Sequence, residues 1–368
     1  MTNKIRHVLG ISGGKDSAAL AIYLHNLYPS LDIEYYFCDT GKELDETYAL
    51  IKNLEVYLGK KVTKLEAANK SHESPFDHYH KLYGGFLPSS NARWCTKKLK
   101  LEPFEKFVGD EPVVSYVGIR GDEDREGYIS KKPNIQSIFP FRKNIWSKDI
   151  TQGALKNENI SDLSGTYKRY VNSDKISRIL EVVNEPLSPH FTQNDKLNAL
   201  LDIDVKSFNK VIFDFIKTTN YSLAKAEDFP LLENDDILIR DDIFRILRES
   251  GVGVPQYYEK VNFAVNGKKG HYARSRSGCY FCFFQQKIEW VWLYEQHPER
   301  FKKAMKYEKA GYTWMQDERL EDLIKPERIQ QIKEDHLKKI EKSSHKKSPY
   351  LLDILDESEG EGCAACFI

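Results

Sequence analysis

The sequence predicts an α/β protein built on a doubly wound, mainly parallel sheet, with a helical insertion and a helical C-terminal region. Three observations carry this. Short apolar runs at 7–11, 33–38, 61–65 and 113–119 alternate with helix-period stretches at 17–27 and 43–58, the pattern of parallel strands joined by crossover helices. Loops at 12–17, 39–41 and 120–125 each follow directly after a strand, and in such sheets ligands bind beyond the carboxyl ends of the strands. From about 147 to 230 the strand signal gives way to polar, helix-period sequence.

In chain order, the strand at 7–11 is followed by Ala18, Leu20, Ala21, Leu24 and Leu27 at helical spacing. IEYYFC at 33–38 is rich in aromatic β-formers and precedes the second helix, while VVSYVGI at 113–119 reads as the fourth strand. Helical patches follow at 175–183, 195–201 and 205–218, and an amphipathic helix at 241–250 leads into the turn-rich GVGVPQYY. A helix at 285–296 carries Trp290, Trp292 and Tyr294, which read as core, and charged helical sequence runs to about 342. The segments this suggests are 1–146 (nucleotide-binding α/β domain), 147–234 (helical insertion), 235–300 (completion of the core), 301–350 (helical C-terminal region) and 351–368 (an acidic, Gly-rich tail).

The 368 residues suffice for two or three domains. Lys plus Arg equals Asp plus Glu, 55 each, which argues against unspecific attraction to nucleic acid over the whole surface and leaves room for a local basic groove. No apolar run has the length of a membrane span. The first strand follows directly on the first residues, without a leader pattern, and six cysteines including two CxxC pairs suit metal or redox chemistry in a cytoplasmic protein.

The stretch SGGKDS, Ser12 to Ser17, sits between the first strand and its helix. Gly13 and Gly14 let a phosphate approach their amides, the helix points its positive end at the anion, Lys15 adds a charge, and Ser12 and Ser17 add hydroxyls. This is a phosphate site, but not the GxxxxGK[ST] loop of common NTPases. SGGKDS resembles the PP-loop of the adenine nucleotide α-hydrolase-like superfamily, which has a Rossmann-like fold. FCDTGKELDETY (37–48), NARWCTKKLKLEP (91–103), GIRGDEDRE (118–126) and SGCYFC (277–282) resemble, in order, motifs of the phosphoadenosine phosphosulfate (PAPS) reductase family. Trp94 replaces the first Cys of that family's Arg-Cys-Cys. The single Cys95 there is closer to the DndC- and SspD-type sulfur-transfer proteins of DNA phosphorothioation. The resemblance covers about 6–145 and 235–300.

It implies an adenine nucleotide, ATP with Mg²⁺, at Ser12, Gly13, Gly14, Lys15, Asp16, Ser17, Asp39, Thr40, Gly41, Gly118 and Arg120. Lys15, Asp16 and Arg120, with Cys363 and Cys366 of the tail, are its candidate catalytic residues. Arg120 offers a fork of donors suited to phosphate or sulfate; Asp39 suits a ribose or Mg²⁺; Asp122 and Glu123 are Mg²⁺-side groups or helix-start acids; Glu46 reads as helix surface. Cys95, Cys279 and Cys282 are implied to converge on a [4Fe–4S] cluster. A cluster takes four thiolates, and the remaining candidates are Cys363 and Cys366. Three readings of that tail stay open: a fourth cluster ligand, a Cys₄ Zn²⁺ site made by the two CxxC pairs, or a mobile arm whose cysteines act on sulfur. Cys38, inside a strand, reads as a buried apolar thiol.

Arg93, Lys97, Lys98 and Lys100 form one basic patch, and KKGHYARSRS at 268–277 forms a second that suits a nucleic-acid backbone. The leading expectation is an ATP pyrophosphatase that adenylates an acceptor for sulfur transfer, the acceptor being nucleic acid. Its implied partners are a cysteine desulfurase or subunits of a phage-defence complex, and no membrane. The alternatives are a PAPS or APS reductase releasing sulfite, and a non-catalytic nucleotide-binding subunit.

Overall fold

The computed structural model describes residues 5–123, 130, 132–172, 174–309, 311–315 and 317–345. Arg125, Cys363 and Cys366, and with them the tail readings, lie outside the described residues.

Five strands form one parallel sheet in the order β3-β2-β1-β4-β5: β1 (Arg6–Gly10), β2 (Ile33–Asp39), β3 (Val62–Glu66), β4 (Val113–Tyr116) and β5 (Ile135–Ile138). β4 and β5 are buried throughout and β2 nearly so, as expected of parallel strands covered on both faces, whereas β3 is a part-exposed edge. Helices α1 (Lys15–Leu27) and α2 (Asp45–Leu58) make the first two crossovers, and Gly59 in the left-handed region closes α2. α3 (Pro75–Leu82) starts on Ser74, whose hydroxyl accepts from Asp77 N–H, with Pro75 in the first turn. α4 (Trp94–Thr96) runs through a π-turn at Lys97–Leu101 into α5 (Glu102–Val108).

The region after the sheet is helical: α6 (Lys148–Ala154), α7 (Ile160–Tyr170), α8 (Lys175–Asn184), α9 (Gln193–Ile203) and α10 (Val205–Ile216). Its buried side chains, among them Ile150, Tyr167, Phe208 and Ile212, join α1, Leu50 and Leu54 of α2, and Trp146 in one continuous core. Asn209 ties it down, accepting from Trp146 Nε1 (3.1 Å) and donating to the Asn234 carbonyl (3.1 Å). α11 (Arg240–Glu249) packs on α1. A second core gathers Phe76, Trp94 and Leu99 with residues from 257 onward. Its elements are the hairpin β6 (Val261–Val265) and β7 (Lys268–Tyr272), α12 (Lys287–Gln296), α13 (Pro298–Met305), α14 (Leu320–Leu323) and α15 (Pro326–His345). Trp290 and Trp292 are buried there, as the sequence suggested.

The structure departs from the sequence-based elements in three places. The fourth strand ends at Tyr116 instead of 119, because the chain turns at Val117–Ile119 (Ile119 N–H to Val117 O, 3.0 Å). β5 went unforeseen: IQSI has no apolar pattern, and Gln136 is buried because its Oε1 accepts from Leu223 N–H (2.9 Å) in the following region. The start of KKGHYARSRS is a strand, paired with β6 through Asn266 and Gly267, both at positive φ. No helix among the described residues is long and apolar enough to cross a membrane.

Candidate functional site

The strand order reverses direction between β1 and β4, the switch point beyond whose carboxyl ends ligands bind in a crevice of such sheets. Gly118 lies where the loops after β1 and β4 meet; a Cβ there would come within 2.9 Å of the Asp16 carbonyl oxygen. Gly13 has φ +75, and a Cβ on it would lie 2.2 Å from Thr47 Cγ2. Gly14 is the N-cap of α1 and has no side chain to cap it with; its own N–H reaches Ser12 Oγ at 3.4 Å. Ser12 and Ser17 brace the loop: their hydroxyls are 3.1 Å apart, and Ser12 N–H donates to Ser17 Oγ at 3.1 Å. Tyr257 OH donates to the Gly13 carbonyl (2.7 Å) and Lys15 N–H to Tyr258 OH (3.4 Å). Both tyrosines follow the turn-rich GVGVP, and nothing in the sequence marked them.

Lys15, Asp16 and Arg120 form a buried charge chain. Lys15 Nζ lies 3.2 Å from Asp16 Oδ2 and 5.1 Å from the centre of the Tyr258 ring; Asp16 Oδ1 lies 3.0 Å from Arg120 Nη1. Arg120 is fully buried and also pairs with Asp122 (2.8 Å) and Glu123 (2.9 Å). In this arrangement the guanidinium is held by three carboxylates, which place it at the crevice floor.

The loop after β2 carries the second group. Asp39 Oδ1 accepts from Gly41 N–H (2.7 Å) and Tyr48 OH (2.9 Å), and its Oδ2 pairs with Lys64 (2.6 Å). Burial pushes the Asp39 carboxyl up, but Lys64 and these donors outweigh it and hold it below the usual range. Glu43, unremarked in the sequence, is buried beside Asp39; burial first and the Asp39 charge second push its carboxyl up to about 7. It accepts from Thr40 Oγ1 (2.6 Å) and Lys42 N–H (3.0 Å). Gly41 has φ +73 and lies against Ser74 and Pro75. Glu46 sits 3.7 Å from His297.

This loop meets the CxxC segment directly. Glu43 bridges to Cys279, Tyr280 N–H donates to the Lys42 carbonyl (2.8 Å), and Thr40 Oγ1 lies 3.2 Å from Cys279 Sγ. Ser277 reaches the phosphate loop, its Oγ 2.6 Å from where a Gly14 Cβ would stand. Cys95, Cys279 and Cys282 line one cavity of about 60 Å³ together with Thr40, Lys100 and Ser277. Burial pushes the Cys279 and Cys282 thiols up, with nearby cations working against it. Among the described residues, no group of three or more His, Cys, Asp or Glu is gathered as a metal-holding set. The cavity wall offers three thiols and no imidazole or carboxylate, donor types that suit a soft, thiolate-held group, although the three thiols are not drawn together as a ligand set. Cys38 does not line this cavity; it packs among Val8, Tyr36 and Phe104, its Sγ donates to the Lys100 carbonyl (3.6 Å), and burial pushes its thiol up to about 12. Of the basic patch, Lys98 pairs with Glu102 (2.7 Å), while Arg93 stacks 5.1 Å from the Phe284 ring.

Comparison with known proteins follows this geometry. Two uncharacterised proteins of Methanocaldococcus jannaschii are similar, one 34% identical over 154 residues (38% of this chain, 30% of that protein) and one 26% identical over 159 residues (40% and 36%). An uncharacterised nin region protein of Escherichia phage lambda is 26% identical over 158 residues, covering 36% of this chain and 53% of its own length. The chain thus spans between about a third and a half of the curated relatives it matches. The crystal structure of PAPS reductase from Candida auris, a phosphate complex, aligns with 43% of this chain and 73% of its own at a TM-score of 0.30 and 19% identity. Residues 6–143, which contain the whole parallel sheet and the phosphate loop, match the model of the phosphoadenosine phosphosulfate reductase domain.

Proposed function

We propose that this protein is an adenine-nucleotide-dependent sulfur-transfer enzyme of the PP-loop type, an ATP pyrophosphatase that adenylates an acceptor. One observation carries the reading: the phosphate loop and the thiol-lined cavity share a wall. Ser277 touches Gly14, and Thr40, from the loop after β2, lies 3.2 Å from Cys279 Sγ. A phosphate held on the amides of Gly13 to Lys15 and a sulfur presented at Cys279 would be neighbours.

In this reading ATP with Mg²⁺ occupies the crevice above Ser12–Ser17. The acceptor, a phosphate oxygen of a nucleic acid, attacks the α-phosphorus and pyrophosphate leaves. A sulfide-level sulfur then attacks the activated phosphorus of the acceptor, a P–S bond forms as the P–O bond to the adenylate breaks, and AMP departs. Lys15 steadies the charge that develops on the phosphates, an effect worth about 3 kcal/mol for a fixed, dry cation. Asp16 holds Lys15 and Arg120 in place through the buried chain, and Asp39 and Glu43 stand ready on the Mg²⁺ side. Cys95, Cys279 and Cys282 would hold a [4Fe–4S] cluster, with Cys363 or Cys366 as the remaining candidate ligands, or Zn²⁺ in its place. A cluster supplies a thiolate-bound site for carrying sulfur or electrons. Phage defence, a cysteine desulfurase partner and a cytoplasmic setting belong to the same proposal.

The match of residues 6–143 to the PAPS reductase domain favours a second reading, reduction of PAPS or APS with release of sulfite. ³¹P NMR of the protein with ATP, Mg²⁺, an oligonucleotide and sodium sulfide as sulfur donor separates the two. AMP and pyrophosphate are the expected products. Sulfite from PAPS with a thiol reductant, and no pyrophosphate from ATP, would overturn the first reading in favour of the second.

A further inference from the structure

Arg274 follows β7 and is 3% exposed. Its backbone N–H donates to the Tyr257 carbonyl (2.8 Å), and its Nη2 donates to the Cys279 carbonyl (3.0 Å). The guanidinium lies 5.8 Å from the Tyr257 ring centre and 6.0 Å from that of Trp292. Its Nε and Nη1 have no hydrogen-bond partner among the described residues. Arg120, the other buried arginine of the site, has three carboxylates around it. A buried cation without a countercharge is costly, and native structures keep one only where something compensates.

The position names the compensating group. Tyr257, which Arg274 grips at the carbonyl and flanks at the ring, donates its hydroxyl to the Gly13 carbonyl of the phosphate loop. Three residues on, Ser277 packs against Gly14, the N-cap of α1. Cys279, whose carbonyl Arg274 holds, lies beside Thr40. Arg274 therefore stands one residue removed from the phosphate loop on two sides and touches the CxxC segment on a third. Nη2 spends one of its two hydrogens on the Cys279 carbonyl; its other hydrogen, with the neighbouring Nε or Nη1, forms one edge of paired donors that match a tetrahedral oxyanion.

We propose that Arg274 is an oxyanion-binding residue of this site, taking a phosphate or sulfate group of the ligand whose other groups rest on the Ser12–Ser17 loop. This rests on the nucleotide reading above for the identity of the ligand, not for the existence of the anion site. The rings of Tyr257 and Trp292 flank the guanidinium, which is buried from bulk water.

The test compares wild type, Arg274→Met and Arg274→Lys in thermal unfolding and in titrations with ATP·Mg²⁺ and, separately, with sodium sulfate against sodium chloride at equal ionic strength. For Arg274→Met the expected results are a ligand-free melting temperature equal to or above wild type and ATP binding weakened about 10- to 100-fold, the loss of charge-assisted hydrogen bonds. Protection by sulfate should disappear. Arg274→Lys, which keeps the charge and loses the fork, should fall between. Wild-type affinity for both ATP and sulfate in Arg274→Met would overturn the inference and leave the nucleotide reading standing. So would a ligand-free melting temperature lowered by several degrees with affinity unchanged, since that marks a purely structural arginine. Sulfate protection that depends on Arg274, in a protein that does not bind ATP, would support the anion site and overturn the nucleotide reading.

Discussion

Replacing Gly13 with alanine tests how closely the phosphate loop is clamped against α2. Two costs are built in. The backbone there has φ +75, a left-handed conformation that costs an L-residue about 1–2 kcal/mol. The new Cβ would lie 2.2 Å from Thr47 Cγ2, more than 1 Å short of ordinary contact, and Thr47 is fully buried and cannot swing away. Overpacking of this kind adds about 1–3 kcal/mol. Gly13→Ala should therefore destabilise the protein by about 2–5 kcal/mol, the sum of those two terms. Thr47→Ser removes the clashing methyl and leaves the φ cost untouched. In a double-mutant cycle read by urea unfolding, the pair should couple by about 1–3 kcal/mol, the steric part alone. Nucleotide affinity should fall in Gly13→Ala and recover in part in the double variant, as the amides return toward their places. A coupling below about 0.5 kcal/mol, the ordinary scatter of independent sites, would refute the claim that loop and helix are in hard contact.

Lys15→Ala should lower turnover of ATP at least about 100-fold, in line with the loss of one fixed cation at the phosphates. It should leave circular dichroism unchanged, because Asp16 keeps its pair with Arg120. Burial holds His80, His271, His297 and His336 below the ordinary histidine range. The unfolded chain then binds protons more readily than the folded one, so the stability these groups give is present above about pH 6.5 and lost as pH falls below it. The melting temperature should drop between pH 7.5 and 5.5, and His336→Gln should flatten that slope. Anaerobically purified protein should carry iron and sulfide with a broad visible absorption band, which Cys95→Ser and Cys279→Ser should each abolish; a colourless protein with one zinc per chain would replace the cluster by a structural metal.

Much of the sheet was readable because parallel strands buried on both faces are written as apolar runs, and β1 and β2 are such runs. β5 was not, since the Oε1 of its polar Gln136 accepts from Leu223 N–H in a region 87 residues away, a partner that local pattern does not reveal. The hairpin was missed for a different reason. Asn266-Gly267 between alternating residues is a strong hairpin signal, but the lysines after it drew the reading toward a charged patch. At the site, residues with motif chemistry (Ser12 to Ser17, Asp39, Cys279) were legible. Those that act by packing were not. Tyr257, Tyr258 and Thr47 carry no motif, and Arg274 stood inside a run of basic residues where its burial could not be seen. Arg120 was found, but its three carboxylate partners come from α1 and its own loop, so its ion pairs appear only once the fold joins them.

If the phosphate loop and the thiol cavity are two halves of one site, bound nucleotide must change the reactivity of the cysteines that line it. Metal-stripped, reduced protein is alkylated with iodoacetamide with and without ATP·Mg²⁺, and each cysteine is followed by mass spectrometry. Cys38 serves as an internal control, since it is buried and its thiol, pushed up to about 12, is out of reach of the reagent. The account predicts that ATP changes the alkylation rate of Cys279, which contacts Thr40 at 3.2 Å, and leaves that of Cys38 unchanged. Bound ATP with identical alkylation of Cys95, Cys279 and Cys282 would contradict it, because the nucleotide and the thiols would then occupy separate places.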